Sequence, residues 1–168
     1  MRDEPGGLKM DSEPVNAAHR SAHAVHHVVW CVKPENLDRV RAFWEETIGV
    51  SLDELDLPEL GLRVLIAWNA GIEIMTPAYA SGEMADAART FLEERGEGVY
   101  SVVYNVSNIE GVITSLVDQG GRLIFRETIP PDVVEARKLS GGEPFSILQA
   151  GFDDYCGMRI CLQEIVPK

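Results

Sequence analysis

Short apolar segments along the chain follow two kinds of pattern. The first segment, residues 25–32, is rich in valine, histidine and tryptophan and predicts a β-strand. Between residues 37 and 48 the apolar side chains recur every three or four positions, which predicts a helix that ends at Gly49. Three further strand patterns follow, separated by turn residues, at 51–57, 62–68 and 71–75. The order in this part of the chain is therefore strand, helix and three strands.

The same order of elements occurs a second time. A second helix is predicted over 82–95, and a strand over 99–106 follows it, with Val106 equivalent to Val32. Ser107 and Glu110 match a capping box, which predicts the start of the next helix. Three strand patterns complete the unit, at 122–126, 145–150 and 158–165. We therefore expect an α+β fold of two βαβββ modules: a flexible tail at 1–24, a first module at 25–78, a linking helix at 79–97 and a second module at 98–168.

Two stretches of the second module carry turn signals instead of a strand or helix pattern. Residues 127–143 are polar and contain Pro130–Pro131 and Gly141–Gly142, so they predict a loop of undetermined form. Asp153 and Asp154 predict a turn ahead of the last strand. The shape of any pocket, and with it the substrate, depends on how the 127–143 loop folds.

The composition excludes several classes of partner. The 168 residues include 15 basic and 27 acidic side chains, a formal net charge of −12, and this field repels nucleic acid and anionic membranes. The apolar stretches are far shorter than the ~20 residues that span a bilayer. Three cysteines are an odd number and favour free thiols in a reducing compartment. We expect a cytoplasmic protein.

The strand, helix and three-strand unit that occurs twice resembles the vicinal oxygen chelate superfamily, also called the glyoxalase/bleomycin-resistance/dioxygenase fold, and the opening of the first unit carries the family's pattern. The similar segments of this chain are residues 27–32, the pair 37–38, residues 42–44 and the helix end at 48–49. Residues 91–98 are similar to the segment that joins the two halves of methylmalonyl-CoA epimerases. The resemblance covers about residues 25–165, and it implies that the two modules form one curved mixed sheet with a cup on one side.

The resemblance also implies a divalent metal, such as Zn, Co, Mn or Ni, with one ligand from each of four strands. His27 matches the first histidine position and Glu73 the first carboxylate position, whereas Ser101 and Cys161 occupy the other two positions. Without a histidine in the second module, an extradiol-type iron dioxygenase is disfavoured. Zinc accepts histidine, carboxylate and thiolate ligands, so His27, Glu73 and Cys161 are the candidate metal ligands, with Ser101 a hydrogen-bond donor to a bound oxygen.

Each candidate also has a purely structural interpretation. His27 is then a hydrogen-bonded histidine inside the cup, and Cys161 a small buried hydrophobe. Strand alternation places His26 on the face opposite His27. Glu73 alternates with two isoleucines and either faces solvent or lines a site, because an unpaired buried charge is costly.

The remaining candidates belong to catalysis and substrate binding. Glu59 matches the position of a general base in the epimerases, although an acidic turn residue is more often only solvated. Trp30, Trp68 and Tyr104 are candidates to line the cup together with Ser101, although aromatic residues on strands are more often core.

These residues support three functional hypotheses. The first is an isomerase or lyase of the glyoxalase/epimerase type that acts on a carbonyl or enolisable substrate, with an incomplete or atypical metal site. The second is a metal-free binding protein, like the bleomycin-resistance proteins, for which the charge of −12 suits a cationic ligand. The third is metal-free proton transfer by Glu59 and Glu73. The fold permits a monomer or a homodimer, and we expect a homodimer.

Overall fold

A computed structural model describes residues 24–136 and 145–167. It contains eight strands, each close to a segment that the sequence predicts. They are β1 (Ala24–Cys31), β2 (Asp53–Leu57), β3 (Leu62–Ala67), β4 (Ile72–Pro77), β5 (Gly98–Asn105), β6 (Arg122–Ile129), β7 (Phe145–Tyr155) and β8 (Met158–Pro167). Ala24 begins β1, and the rest of the predicted tail lies outside the described residues.

All eight strands form a single mixed sheet in the order β2-β3-β4-β1-β5-β8-β7-β6. Within each half the first strand pairs with the last in parallel, β1 with β4 and β5 with β8, and hairpins add the other two strands. The halves join through antiparallel pairing of β1 with β5. The sheet curls into a half-barrel, which confirms the predicted α+β fold of two βαβββ modules.

Four helices accompany the sheet: α1 (Leu37–Ala42), α2 (Glu83–Arg95), α3 (Ile109–Asp118) and α4 (Pro131–Ala136). The single helix predicted over 37–48 is composite, since α1 follows a 3₁₀ turn at Pro34–Asn36 and continues as a π-helix at Phe43–Ile48. Gly49 ends it with φ 81°, as the sequence predicts. No helix in the described part of the chain is both long and apolar enough to cross a membrane.

The helices cover opposite faces of the sheet. α1 packs in module 1 on the face that carries Leu65 and Ile74, and α3 packs on the same face of module 2 against Phe152 and Leu162. We call this the outer face. The inner face carries side chains such as Val29, and in module 1 it is covered by α2, whose buried residues share one apolar cluster with that face: Ala85, Ala88 and Phe91.

Three local predictions differ from the structure. The capping residue of α3 is Asn108, whose side chain accepts a hydrogen bond from the Gly111 N–H, so the Ser107 capping box is wrong. The segment predicted as a loop at 127–143 contains the end of β6 and α4, and its remainder from 137 lies outside the described residues. Asp153 lies within β7, not in a turn, because its carboxylate forms an ion pair with Arg122 across the β6–β7 ladder.

The hairpin between β2 and β3 docks closely against the start of α2 at Gly61. This residue has φ +75°, and an added Cβ would lie 2.4 Å from the Ser81 carbonyl oxygen and 2.6 Å from the Ala85 Cβ. Gly49 has a similar φ of +81° but nothing within 4 Å of its Cβ position. The two glycines therefore separate the cost of the backbone conformation from the cost of the contact.

We predict that Gly61→Ala lowers the free energy of unfolding by about 3 kcal/mol or more, since it adds a backbone clash to the left-handed conformation. Gly49→Ala, the matched control, should lower it by only about 1 kcal/mol. Urea unfolding of both variants measures the difference. Equal losses would mean that the contact with α2 adjusts at no cost.

A carboxylate also ties the loop after β1 to the loop after α2. Glu97 accepts hydrogen bonds from the Lys33 backbone N–H at 2.8 Å and from the Asn36 side-chain amide at 2.9 Å. The Lys33 N–H, then Asn36, and more weakly the charges of Arg39 and Lys33, hold the pKa of Glu97 below its ordinary value. A lowered folded-state pKa adds stability above the unfolded-state pKa, and this stability is lost as the pH falls.

We predict that Glu97→Gln loses less stability than the wild type between about pH 7 and about pH 3. Because Glu97 is exposed, the difference should be no more than a few tenths of a kcal/mol. Urea unfolding at both pH values gives the comparison. If Glu97→Gln loses as much free energy of unfolding as the wild type on acidification, or more, this role for Glu97 is contradicted.

Candidate functional site

His27 and Glu73 contact each other through their side chains on the inner face of module 1. Val29, two residues after His27, is the β1 neighbour of Glu73 on β4, so both side chains point to the same face. His27 Nε2 lies 3.2 Å from Glu73 Oε2, and the side chains are 4% and 22% exposed. The carboxylate is therefore open to a ligand, whereas the imidazole is enclosed.

His26 joins this pair, contrary to the expectation from strand alternation. The pairing register of β1 with β5 shifts between Val25 and His27, so His26 is a β-bulge residue. The Nδ1 atoms of His26 and His27 lie 2.7 Å apart, and both rings contact Trp68, at centroid distances of 5.8 and 5.3 Å. Nothing in the sequence marks the bulge, because it depends on how β5 pairs with β1.

The contacts are consistent with one arrangement of protons in which His27 is neutral. The Glu73 carboxylate only accepts, so the hydrogen of a neutral His27 lies on Nε2 and is donated to Glu73. His27 Nδ1 then accepts a hydrogen bond from His26 Nδ1–H. The result is a directed chain of donors, from His26 through His27 to Glu73, which orients the carboxylate.

The register places Ser101 and Cys161 in module 2 where His27 and Glu73 lie in module 1. Cys161 on β8 pairs with Val103 on β5, just as Glu73 pairs with Val29, and Ser101 precedes Val103 by two residues. Cys161 is buried. Burial, and more weakly the negative charges of Glu73 and Glu127, raises the pKa of Cys161 to about 12. Cys161 is thus a neutral thiol.

The side chains at these four positions do not fit a divalent metal site. Among residues 24–136 and 145–167, no group of three or more histidine, cysteine, aspartate or glutamate side chains is arranged to hold an ion. A thiol must lose its proton to bind zinc, which burial of Cys161 opposes, and the Ser101 hydroxyl is a poor ligand. Only His27 and Glu73 remain as strong donors.

The structure does not bring the other predicted site residues to this pair, apart from Trp68. Glu59 lies in the β2–β3 turn, whereas Glu73 is opposite Ile66 on β3, so at least ~15 Å of strand separates Glu59 from Glu73. Trp30 packs on the outer face in the cluster beneath α1, and Tyr104 in the cluster beneath α3. Trp30 therefore contributes to the core, whereas Tyr104 packs there and also lines a small cavity at the start of β5.

The inner face is polar in module 2 where it is apolar in module 1. Glu127, Gln149 and Gln163 occupy neighbouring register positions on β6, β7 and β8, and the Gln163 side-chain amide donates to Asn105 Oδ1 at 2.8 Å. The equivalent residues of module 1 belong to the apolar cluster that includes α2: Cys31, Leu55, Val64 and Met75. These polar residues were not predicted from the sequence, although their alternation with apolar neighbours on paired strands indicates a polar face of the sheet.

A stacked arginine in module 2 also went unrecognised from the sequence. The Arg159 guanidinium carbon lies 4.9 Å from the ring centroid of Tyr100 and 5.5 Å from that of Phe91. Arg159 Nη2 is 3.6 Å from Asp153 Oδ1. Tyr100 is the bulge residue of β5, at the position equivalent to His26, so both modules direct an extra ring to the inner face at this level.

Comparisons with known proteins agree with this architecture. No model of a protein family matches the chain. A curated relative, 4-hydroxyphenylpyruvate dioxygenase of Pyricularia oryzae, is 24% identical over 165 residues, which cover 88% of this chain. The chain spans only 38% of the length of that relative.

Two solved structures are similar to most of the chain. Methylmalonyl-CoA epimerase from Mycobacterium tuberculosis has a TM-score of 0.58 at 24% identity, covering 90% of this chain and 96% of its own. A variant of the Streptomyces coelicolor methylmalonyl-CoA epimerase, in complex with 2-nitronate-propionyl-CoA, has a TM-score of 0.59 at 17% identity, covering 86% and 98%. This chain has the vicinal oxygen chelate fold, and methylmalonyl-CoA epimerases are among its structural neighbours.

Proposed function

We propose that this protein is an isomerase or lyase that moves a proton on a small enolisable carbonyl compound, with Glu73 as the general base. The observation that carries the proposal is the His27–Glu73 pair, a carboxylate on the inner face oriented by an enclosed imidazole. An oriented carboxylate accepts a proton from carbon when the substrate C–H lies within contact distance.

Exposure assigns the two residues different roles. Glu73 is 22% exposed and can touch a substrate, so it is the candidate catalytic residue. His27 is 4% exposed and acts through Glu73, so it is a positioning residue. Its Nε2–H bond to Oε2 restricts the rotation of the carboxylate.

The proposed step leaves a negative charge that the site must stabilise. Glu73 takes the proton from the carbon next to the carbonyl, and the electron pair of that C–H bond moves to form an enolate. Ser101 lies opposite Val29, which in turn lies opposite Glu73, so the three residues form a row across β5, β1 and β4. The Ser101 hydroxyl is the candidate donor to the enolate oxygen. Reprotonation of the enolate by water on its opposite face gives the epimer, whereas departure of a leaving group from the neighbouring carbon gives a lyase.

The fold is compatible with this chemistry. An epimerase inverts a centre next to a carbonyl by removing and returning a proton, and two solved neighbours are methylmalonyl-CoA epimerases. Both are less than 25% identical to this chain, so the substrate is argued from the site and not from the neighbours.

We predict that Glu73→Gln slows proton exchange by about 100-fold or more, since general-base catalysis contributes this much. Exchange of the α-proton of methylmalonyl-CoA and of 4-hydroxyphenylpyruvate with D₂O, followed by NMR, supplies the measurement. His27→Gln should slow exchange by about 10-fold while the melting temperature stays close to that of the wild type. Glu59→Gln is the matched control, because the same change of charge lies far from Glu73, and it should exchange at the wild-type rate.

Two results would contradict the assignment. The first is wild-type exchange no faster than buffer for both compounds. The second is loss of proton exchange in Glu59→Gln together with its retention in Glu73→Gln, which would make Glu59, in the β2–β3 turn, the general base.

We predict that activity does not depend on a divalent ion, since only His27 and Glu73 are strong donors at the four positions. Treatment with a chelator should leave the exchange rate unchanged, and adding Zn²⁺, Co²⁺, Mn²⁺ or Ni²⁺ should change it by less than about twofold. Metal analysis of the untagged protein is the second measurement. A stoichiometric ion that is lost in His27→Gln would show that the residues do form a metal site.

A metal-free binding protein is the second candidate function. The polar inner face of module 2 favours it, because Gln149 and Glu127 lie there beside the buried, mutually bonded pair of Gln163 and Asn105 and offer polar groups to a ligand. Stoichiometric binding of a cationic ligand such as bleomycin, with no proton exchange on either test compound, supports this function over the first.

A further inference from the structure

A small cavity opens where β5 and β8 separate. The parallel pairing of these strands begins at Val102 and Ile160, and the residues ahead of it diverge. The space between them has a volume of about 200 Å³ and is lined by the end of α2, the start of β5 and the β7–β8 turn. Its size is below the roughly 300–1,000 Å³ of typical drug and cofactor sites, so its occupant is a small molecule.

The charge of this cavity is opposite to that of the protein. Arg95 and Arg159 line it, and none of its lining residues in the described chain is acidic. The net charge of the whole chain is −12. A local cationic cavity in an acidic protein attracts an anion and holds it where water is partly excluded.

Arg159 contacts the Tyr100 side chain and the Asp153 carboxylate but keeps one donor without a partner in the described residues. Its Nε is buried and has no hydrogen-bond partner within the described residues. Its acidic neighbour Asp153 is shared with Arg122, whose contact is much closer than the 3.6 Å to Arg159. A carboxylate matches a guanidinium edge in two parallel hydrogen bonds, which a monodentate partner at this distance does not supply.

The walls around Arg159 favour a flat molecule. Tyr100 and Phe91 contact each other edge to face at 5.2 Å, and the Arg159 guanidinium carbon lies 4.9 and 5.5 Å from their ring centroids. These cation–π contacts help to hold the arginine in place, and its flat fork of donors matches a planar partner. We propose that this cavity binds a small planar carboxylate, with the Arg159 guanidinium as its counter-charge.

The cavity adjoins the proposed catalytic row. Ser101 lines the cavity and stands in register with Glu73, two strands away, so their Cα atoms are about 10 Å apart. A carboxylate at Arg159 therefore belongs to a molecule whose reacting carbon extends toward Glu73. This makes the substrate an enolisable carboxylic acid, a step that rests on the proposed function, whereas the anion site itself does not.

Benzoate is a suitable probe, because it is a planar carboxylate with no enolisable C–H. Calorimetric titration of the wild type should give saturable binding with a Kd of about 1 mM or tighter. Arg159→Gln should weaken binding by about tenfold or more. Arg122→Gln is the matched control, since Arg122 shares Asp153 but is 72% exposed and lies outside the cavity lining, and it should change the Kd by less than about twofold.

Further variants and ligands test the same site independently. Arg159→Lys keeps the positive charge but lacks the planar guanidinium, so it should bind benzoate several-fold more weakly than the wild type. This variant tests the site even if Arg159→Gln does not fold. Benzamide, the neutral analogue, should bind about tenfold more weakly than benzoate, and inorganic phosphate should also bind more weakly. Glu73→Gln should bind benzoate like the wild type, which separates this site from the proton-transfer proposal.

Four outcomes would overturn the proposal. They are no saturable benzoate binding at about 20 mM, wild-type affinity in Arg159→Gln, equal affinity for benzamide, and tighter binding of inorganic phosphate. Loss of proton exchange with benzoate binding intact would instead overturn only the catalytic role of Glu73.

Discussion

The antiparallel pairing of β1 with β5 is the contact on which the rest of the molecule depends. It joins the two modules into one sheet, and its register decides which residues share the inner face. His27 and Ser101 belong to different modules but lie on neighbouring strands. His27 on β1 pairs with Val103 on β5, and Ser101 on β5 pairs with Val29 on β1. A slip of one residue would turn every side chain on one of these strands to the other face, so the site and the fold share one constraint.

The sequence predicted the order of the elements because their periodicity is local. Strands, amphipathic helices and the glycine at residue 49 follow from patterns within a few positions, and the two-module repeat follows from those elements. The pairing of His27 with Glu73 was accessible only through the resemblance, since the two residues are distant along the chain.

The features that the sequence did not predict depend on contacts between strands. The bulge at His26 exists because β1 and β5 pair out of step there, and alternation within one strand gives no sign of it. The resemblance to the epimerases made Glu59 a candidate base, but the β2–β3 hairpin places it several strand positions from Glu73. Trp30 and Tyr104 occupy strand positions that face the outer helices, and an aromatic residue alone does not indicate which face it occupies.

Helix α2 covers the inner face in module 1, and the two modules use this face differently. In module 1 this face is closed by a helix and serves as core around Cys31, Val64 and Met75. In module 2 the corresponding positions include Asn105, Gln149 and Gln163, which an apolar core would not tolerate without partners. One copy thus buries an apolar core on this face, and the other keeps polar side chains there, two of which are buried as a hydrogen-bonded pair.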